Sequence, residues 1–441
     1  MHLAPILLAS ALLGDPQAKP TFVVLAPAEW CPALLPLVEA RADDFVVEVT
    51  ALEEVLAHEE GLDAPERLKR HLWRAWRERR ATHALLVGDA DVFPVRFMVL
   101  DRCTEPAFHT AFYPSDLYYA DVAEADGSFD DWNAERDGHH ARYFGEVRGE
   151  CNKDTRIDFD RVSYAPELAV GRFPVSTRAE LEAVIAKTVA WKVAQGAPSA
   201  LLVHADGWID ERARVEDFAG ALASAGFALE RQFYGSGTAE TPVPSPATVL
   251  AGLKRAPLVA YHLGHGSEET WHDCLGPAQR DALATERPLV FVSVGCSTAH
   301  FVNEPPYQPY LDVDGLLHRG TNDGEVFSVP PPPPHCLQPA RLDATGLGER
   351  LLLMPQGGAV AYIGCTTGAQ PAAVTLMEGF NLALARAPRP TAGEAWRAAL
   401  AHFVVAEHLS ELVPDDGWYP PSIFFQGMKF AFFGDPTLPL R

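Results

Sequence analysis

Two stretches, APLVAYHLGHG (256–266) and PLVFVSVGC (288–296), indicate the architecture of this chain most clearly. Each is a short apolar run that ends in glycine and a polar residue, which is typical of a buried strand leading into a turn. Each tip also carries a reactive side chain beside a glycine, His265 in the first and Cys296 in the second. Ligands of open α/β sheets collect outside the carboxyl ends of the strands, so we expect both tips to face one crevice.

The same alternation of apolar runs and amphipathic stretches extends in both directions from these tips. Further strands are predicted at TFVVLAP (21–27), 45–49, THALLVGD (82–89), SALLVHAD (199–206) and GGAVAYIGC (357–365). Residues 65–80 and 177–195 are predicted to be helices. Strands that alternate with helices favour an α/β fold with a mainly parallel sheet. The length of 441 residues suits two units, 20–195 and 196–441, with GAPS (196–199) at the boundary.

Composition limits the partners of the chain. The 36 basic and 59 acidic residues give a formal net charge of −23, which repels nucleic-acid phosphate and favours basic or neutral partners, although plain solubility is the simpler explanation of this charge. No apolar run after the N-terminus reaches the roughly 18 residues of a membrane span. The run from Leu3 to Leu13 has the length of a signal-peptide core, but the usual positive flank is missing. We expect residues 1–19 to be a signal peptide and the protein to be secreted or periplasmic, with a cytoplasmic protein as the alternative.

A thiol and an imidazole at the tips of two strands suit nucleophilic catalysis. Cys296 is the candidate nucleophile, because the imidazole of His265 can take the thiol proton and later return it to a leaving amine. The backbone N–H groups of Gly266 and Cys296 can both point at one developing oxyanion. This chemistry requires no cofactor.

Other interpretations of these residues stay open at this point. A cysteine at the end of a strand is most often a buried packing residue. The histidines at 262, 265 and 272 suggest a metal site, but positions 262 and 265 face opposite ways on a strand and no carboxylate completes a helix-borne zinc motif. Cys365 also ends a predicted strand and is the rival nucleophile. The seven cysteines include no CxxC pair, which argues against a zinc ribbon.

Several blocks of the sequence resemble the gingipains, which are cysteine peptidases of caspase-like fold. HLGHGSEETW (262–271) and LVFVSVGCSTAHF (289–301) resemble the two catalytic blocks of that family. The flanking blocks that resemble it are THALLVGDADVFPVR (82–96), PSDLYYADV (114–122), PELAVGRFPVSTRAELEAVIAKTVAW (166–191) and FFGDPTLPLR (432–441). The resemblance covers about residues 20–441. It implies an α/β caspase-like three-layer sandwich of two tandem subdomains, the second of which holds the catalytic dyad, and a protein or peptide substrate.

The resemblance also implies roles for single residues. His265 becomes the general base and acid of the dyad, and Cys365 becomes structural because the matching block of the family needs no thiol. Trp271 either lines the cleft or is a buried aromatic anchor. The nearest candidates for a carboxylate that orients the histidine are Glu150 and Asp154.

The pocket for the residue before the scissile bond is less clear in this sequence. Arg-selective relatives receive that side chain on an aspartate just upstream of the PELAVGR-like block. Asp160 and Asp158 are the near matches, whereas Ser163 is the closest position by direct alignment. We expect cleavage after basic residues, with other preferences and a solvated loop aspartate as the alternatives.

An oxygen-rich loop, DDWNAERDGHHARYFGE (130–146), resembles the calcium loop of gingipain relatives. Its candidate ligands are Asp131, Asn133, Asp137 and Glu146, and hard oxygen ligands at such spacing suit a structural Ca²⁺. The two histidines at 139 and 140 depart from the pattern. A solvated acidic loop is the alternative.

Residues 301–342 interrupt the α/β pattern with an irregular, proline-rich insertion. Its five-proline run excludes helix and central strand and predicts an extended polyproline II segment. Insertions of this length are usually functional or mobile. The alternative to an enzyme is therefore a catalytically silent scaffold that binds a partner through this insertion. Cys103 and Cys151 can pair if the protein is exported, and the oligomeric state is not readable from the sequence.

Overall fold

A computed structural model of the chain describes residues 18–99, 112–133, 144, 162–193, 196–285, 287–329, 331–412 and 426–441. Within these residues the centre of the molecule is a ten-stranded sheet. Its strands are β1 (Thr21–Ala26), β2 (Val46–Ala51), β3 (Ala81–Val87), β4 (Ala169–Phe173), β5 (Ser199–His204), β6 (Ala228–Phe233), β7 (Val259–Leu263), β8 (Leu289–Val294), β9 (Ala359–Cys365) and β10 (Phe430–Gly434).

The order of the strands places the two halves of the chain side by side in this one sheet. The order is β2-β1-β3-β4-β10-β9-β8-β7-β5-β6. All neighbouring strands run parallel to each other except β9 and β10, which are antiparallel. In this order the strands from β2 to β10 therefore point one way, and those from β9 to β6 point the other way. The prediction of a mainly parallel sheet is confirmed. The last strand, β10, belongs to the second half of the chain but pairs with β4 of the first half. The predicted boundary between two units near residue 196 therefore stays a prediction.

Helices cover both faces of the sheet. The helices are α1 (Leu35–Arg41), α2 (Leu52–His58), α3 (Ala64–Arg79), α4 (Leu117–Ala120), α5 (Arg178–Ala190), α6 (Arg212–Ser224), α7 (Pro246–Leu253), α8 (Pro277–Asp281), α9 (Leu347–Leu353), α10 (Val374–Arg386) and α11 (Ala392–Ala406). Apolar residues of α3, α6, α10 and α11 form the core on one face, and those of α1, α5, α7 and α9 form the core on the other. The three-layer α/β sandwich is confirmed.

The side chains of each strand alternate between the two faces of the sheet and so contribute to both cores. In β1, Val23 and Leu25 belong to one core, whereas Phe22 and Val24 belong to the other. Successive side chains of a strand point to opposite faces, so a strand that is buried on both faces must be apolar throughout. This is why the central strands are continuous apolar runs in the sequence.

Side-chain caps set where several helices begin. Thr177 and Thr391 each form a capping box with the glutamate three positions later, at the start of α5 and α11. The carboxylate of Asp63 accepts from the Glu66 backbone N–H at the start of α3. Helix α5 ends at Ala190, five residues before the predicted end. No helix in the described part of the chain is long and apolar enough to cross a membrane.

The proline-rich insertion reaches back to the first half of the chain. Residues Tyr310–Leu311 pair antiparallel with Leu317–His318, as Phe97–Val99 pairs with Phe112–Pro114 elsewhere. The Cys336 carbonyl accepts from the Val95 N–H at 2.7 Å, and the Gln338 N–H donates to the Ala90 carbonyl at 2.9 Å. The insertion therefore links the segment after β8 to the loop after β3.

Candidate active site

The two predicted reactive tips lie at the same edge of the sheet. Strands β7 and β8 are adjacent and parallel, and Leu263 is the register partner of Val294. His265 and Cys296 each follow within two residues of these paired positions. The side chain of His265 is exposed and that of Cys296 is half-buried. Both are therefore accessible at the carboxyl ends of neighbouring strands, where ligands of α/β sheets bind.

The two turns touch backbone to backbone. A Cβ atom placed on Gly266 would lie 2.8 Å from the Cys296 carbonyl oxygen and 2.6 Å from Thr298 Cγ2. A Cβ atom on Gly295 would lie 3.2 Å from Gly266 Cα. Glycines beside reactive residues can let the backbone pass close to a substrate. In the structure they make room for each other, because any side chain at either position would separate the two turns.

The loop after β5 fixes the orientation of the His265 ring. His265 Nε2 lies 2.8 Å from the carbonyl oxygen of Gly207. A carbonyl oxygen only accepts, so Nε2 carries the hydrogen and the neutral ring keeps its lone pair on Nδ1. Gly207 has φ 92°, and its N–H donates to the Asp206 carboxylate at 2.7 Å. A backbone carbonyl thus orients the ring, and the carboxylate candidates Glu150 and Asp154 lie outside the described residues.

Sequence reasoning missed this third loop. The sequence pattern predicts SALLVHAD (199–206) as a strand but gives no role to its tip. β5 lies next to β7 and runs parallel to it, so the tip of β5 is at the same edge as His265. The Trp208 ring lies there as well, with its centre 6.4 Å from that of His265. The glycine after Asp206 was the available signal, because it repeats the strand-then-glycine pattern of the other two tips.

The nucleophile candidate occupies a tight turn. Ser297, directly after Cys296, has φ 53°, the left-handed region that non-glycine residues rarely adopt. Its N–H donates to the Thr367 carbonyl at 2.6 Å, which attaches the turn to the end of β9. The Cys296 Sγ lies 3.7 Å from the Ala369 carbonyl oxygen. Backbone conformations of this kind concentrate at functional sites, where surrounding contacts hold them.

The rival thiol is placed differently. Cys365 is fully buried in the core, and burial raises the pKa of its thiol to about 12. Cys274 is also buried, and burial raises its pKa to about 12. Such thiols are almost fully protonated at neutral pH and inaccessible, which suits the structural role expected for Cys365. The two cysteines at 103 and 151 lie outside the described residues.

Trp271 is a buried anchor in this structure. Its side chain has 0% exposure, and its indole N–H donates to the Tyr362 hydroxyl at 3.1 Å. The His262 ring stacks on it with 4.4 Å between ring centres and 3° between planes. Of the two roles considered for Trp271, the buried anchor fits these contacts and lining an open cleft does not.

The histidine metal site finds no support in the geometry. His262 is fully buried, its Nδ1 lies 2.9 Å from the Ser293 hydroxyl, and burial lowers its pKa to about 3. His265, by contrast, is exposed. Across the described residues no group of three or more histidine, cysteine, aspartate or glutamate side chains is arranged to hold a metal ion.

Most of the other candidate residues lie outside the described part of the chain. These are Glu150 and Asp154 as carboxylates that could orient the histidine, Asp158 and Asp160 of the predicted pocket, and Asp137 and Glu146 of the calcium loop. The Ser163 hydroxyl donates to the Asp121 carboxylate at 3.0 Å. The Asp131 carboxylate accepts from the Asn133 N–H at 3.1 Å, and Asn133 is buried. The two described calcium candidates therefore share one turn.

The sequence of the chain also matches a known protein family. The sequence pattern of peptidase family C25 matches residues 15–441. The chain belongs to peptidase family C25. It is a cysteine endopeptidase, a hydrolase that acts on protein or peptide substrates. Among curated proteins, no sequence matches it.

Solved structures show the same fold at low sequence identity. The Arg-specific cysteine proteinase gingipain R (RGPB) has a TM-score of 0.58 and 14% identity, over 96% of this chain and 78% of that one. The complex of Porphyromonas gingivalis RgpB pro- and mature domains gives a TM-score of 0.57 and 14% identity, over 95% of this chain and 79% of that one. A third structure, described as a protease, has a TM-score of 0.59 and 15% identity, over 95% of this chain and 78% of that one. The caspase-like fold expected from the sequence is confirmed.

Proposed function

We propose that Cys296 and His265 carry out peptide-bond cleavage through an acyl-enzyme. The observation that supports this most directly is the hydrogen bond from His265 Nε2 to the Gly207 carbonyl, since it leaves Nδ1 as the basic atom of the ring. The thiol gives its proton to Nδ1, and the sulfur bonds to the scissile carbonyl carbon. The C–N bond then breaks as the same proton passes to the leaving amine. Water hydrolyses the thioester in the second half of the cycle.

The Gly266 and Cys296 amides are our candidates for stabilising the tetrahedral oxyanion. Neither backbone N–H donates a hydrogen bond to another group among the described residues. The close contact between the two turns supports this proposal, because Gly266 packs directly against Gly295 and the Cys296 carbonyl. Loss of one such donor typically lowers turnover roughly 10²–10³-fold.

We further propose cleavage after basic residues, export from the cytoplasm and a structural Ca²⁺. The net charge of −23 supports a basic substrate, and the apolar run near the N-terminus supports export. The turn that Asp131 shares with the buried Asn133 supports an oxygen-ligand site with Asp137 and Glu146. The proposed chemistry passes no step through the metal, which would only order this loop.

Peptide-library cleavage combined with thiol alkylation tests the proposed mechanism. The wild-type chain, C296A, H265A and the matched cysteine control C365A are each incubated with a mixed peptide library, with and without Ca²⁺. We expect C296A and H265A to lose at least about 10³-fold in activity, because the nucleophile and its base act as a unit, whereas C365A remains active. Cleavage by C296A at the wild-type rate would refute the dyad. An absence of cleavage by the wild-type chain would favour the scaffold alternative.

A further inference from the structure

The chain after His265 folds into a short ladder that leads away from the Cys296 turn. Gly266, which packs against the Cys296 carbonyl, forms an antiparallel bridge with Trp271. Trp271 in turn forms an antiparallel bridge with Leu275. Neighbouring extended segments lie about 5 Å apart, so the outer segment of this ladder is roughly 10 Å from Gly266 on the side away from the nucleophile.

Buried contacts hold the ladder in place. The indole N–H of Trp271 donates to the Tyr362 hydroxyl at 3.1 Å, and the His262 ring stacks on the indole. The Trp271 backbone N–H donates to the Leu275 carbonyl at 2.8 Å. A segment anchored in this way presents a formed surface before any substrate arrives, which lowers the entropic cost of binding.

An open cavity lies beside the outer part of the ladder. It has a volume of about 420 Å³, and its walls include Pro246, Thr270, His272, Asp273 and Gln279. The His272 N–H donates to the His265 carbonyl at 3.0 Å, and the centres of the two imidazole rings are 6.0 Å apart. The cavity therefore begins directly beside the candidate base.

Asp273 gives this cavity an unpaired negative charge. Its side chain is exposed, and in the described part of the chain its carboxylate forms no hydrogen bond or ion pair. No lysine or arginine of the described residues lines the cavity. Asp273 also has φ 55°, a backbone conformation that is rare outside functional sites and tight turns. A carboxylate without a cation favours a ligand that carries positive charge and donates hydrogen bonds.

The chemistry of cleavage determines which half of a substrate passes this cavity. His265 returns the thiol proton to the leaving amine, so the leaving half must lie on the His265 side of Cys296. The segment after β9 occupies the opposite side, where the Ala369 carbonyl oxygen lies 3.7 Å from Sγ. An extended peptide advances about 3.3–3.6 Å per residue, so the first three residues after the scissile bond reach the cavity.

We propose that this cavity binds a basic side chain from one of the first three residues after the scissile bond, with Asp273 as its carboxylate partner. The inference rests on the proposed function, because the direction of the substrate follows from the roles of Cys296 and His265. Asp273 contacts the substrate and takes no part in proton transfer, so it is a specificity residue for the leaving half.

Paired peptides that differ only in charge test the proposal. Arginine is placed in turn at the first, second and third position after the scissile bond, and each peptide is compared with its citrulline counterpart, which is neutral and of the same shape. We expect the wild-type chain to prefer arginine about three- to fivefold in kcat/KM at one of these positions, the size of an exposed ion pair. D273N should reduce that preference to less than about 1.5-fold and cleave the citrulline peptides at the wild-type rate.

Asparagine suits the test because it also tolerates the left-handed backbone of position 273. The control is E269Q, which removes the same charge from an exposed residue of the same loop that does not line the cavity, and it should keep the preference. Unfolding midpoints show whether each variant is folded.

The proposal is overturned if the wild-type chain prefers arginine at none of the three positions, if folded D273N keeps the preference, or if E269Q abolishes it as fully as D273N does. Each of these results leaves the cysteine mechanism standing, because that mechanism is judged by C296A on the citrulline peptides. A wild-type chain that cleaves neither these peptides nor the library would overturn both proposals.

Discussion

His265 Nε2 lies 2.8 Å from the carbonyl oxygen of Gly207, so the loop after β5 determines which ring nitrogen of the candidate base is free. The two residues are far apart in the sequence, and adjacent parallel strands bring them together. A fixed tautomer matters because a general base must present its lone pair before the reaction begins. The Gly207 carbonyl is therefore a positioning element of the proposed dyad, and it leads to the first prediction.

Replacing Gly207 with alanine should impair catalysis more than folding. At φ 92° an alanine is strained, and its Cβ would lie 3.7 Å from His265 Cδ2. The matched control is G226A, at φ 89° with no neighbour within 4 Å of the new Cβ. Both variants should lose about 1 kcal/mol in the free energy of unfolding, measured in urea. Only G207A should lose roughly tenfold or more in kcat. Equal kcat values for the two variants would contradict a positioning role.

The contact between the two turns can be tested at Gly266. In G266A the new Cβ would meet the Cys296 carbonyl and Thr298 Cγ2, so the turns must separate. We expect kcat/KM to fall by about 10²-fold or more, because a displaced oxyanion donor or base loses most of its effect. G276A serves as the control, since its Cβ would meet only ordinary contacts at 3.5 Å and beyond. Wild-type activity in G266A would show that the turns tolerate separation.

Thiol labelling should separate the reactive cysteine from the buried ones. With iodoacetamide at pH 7.5, we expect Cys296 to be modified first in the folded protein. Cys365 and Cys274 should remain unmodified until urea unfolds the chain, because both are buried and burial raises their pKa to about 12. Mass spectrometry of peptides after timed labelling gives the order. Early modification of Cys365 in folded protein would count against the assignment.

Acid should destabilise the fold partly through His262. Burial lowers the pKa of this histidine to about 3, whereas the unfolded chain has the ordinary value near 6.5. Between these values the unfolded state binds the proton and the folded state does not, so stability falls as the pH decreases from about 6.5. His262 alone contributes a slope of up to about 1.4 kcal/mol per pH unit.

The measurement is urea unfolding between pH 4.5 and pH 7.5 for H262Q and for H58Q, which changes an exposed histidine on α2. H262Q also loses the contacts with Trp271 and Ser293, so its stability is lower throughout. The decisive quantity is the slope of stability against pH. It should flatten in H262Q and stay as in wild type in H58Q. An unchanged slope in H262Q would mean that this histidine is protonated in the folded state.

Calcium should raise the unfolding temperature if the proposed loop binds it. A ligand that binds only the folded state stabilises it by about 2.7 kcal/mol at a hundredfold excess over Kd. We expect Ca²⁺ to raise the Tm of the wild-type chain relative to a chelator, and to have little effect on D131A. D126A, which changes an exposed aspartate nearby, is the control. Equal shifts in wild type and D131A would place any calcium site elsewhere.

Several features were predictable because they are encoded locally. The strands at 21–26, 259–263 and 289–294 were found from apolar runs, since strands buried on both faces must be apolar throughout. His265 and Cys296 were found because each follows such a run beside a glycine. Trp271 could be assigned to neither of its two roles, because the sequence does not show whether a neighbouring ring such as His262 covers it.

Local pattern in the chain thus determined which segments are strands and helices and which two reactive residues end neighbouring apolar runs. Only the tertiary structure decided that β10 pairs parallel with β4 and antiparallel with β9, and that the Gly207 carbonyl orients His265. The physical reason is that strand order, strand direction and the neutralisation of buried charge depend on contacts between distant segments. Residue type and spacing alone do not specify which segments meet.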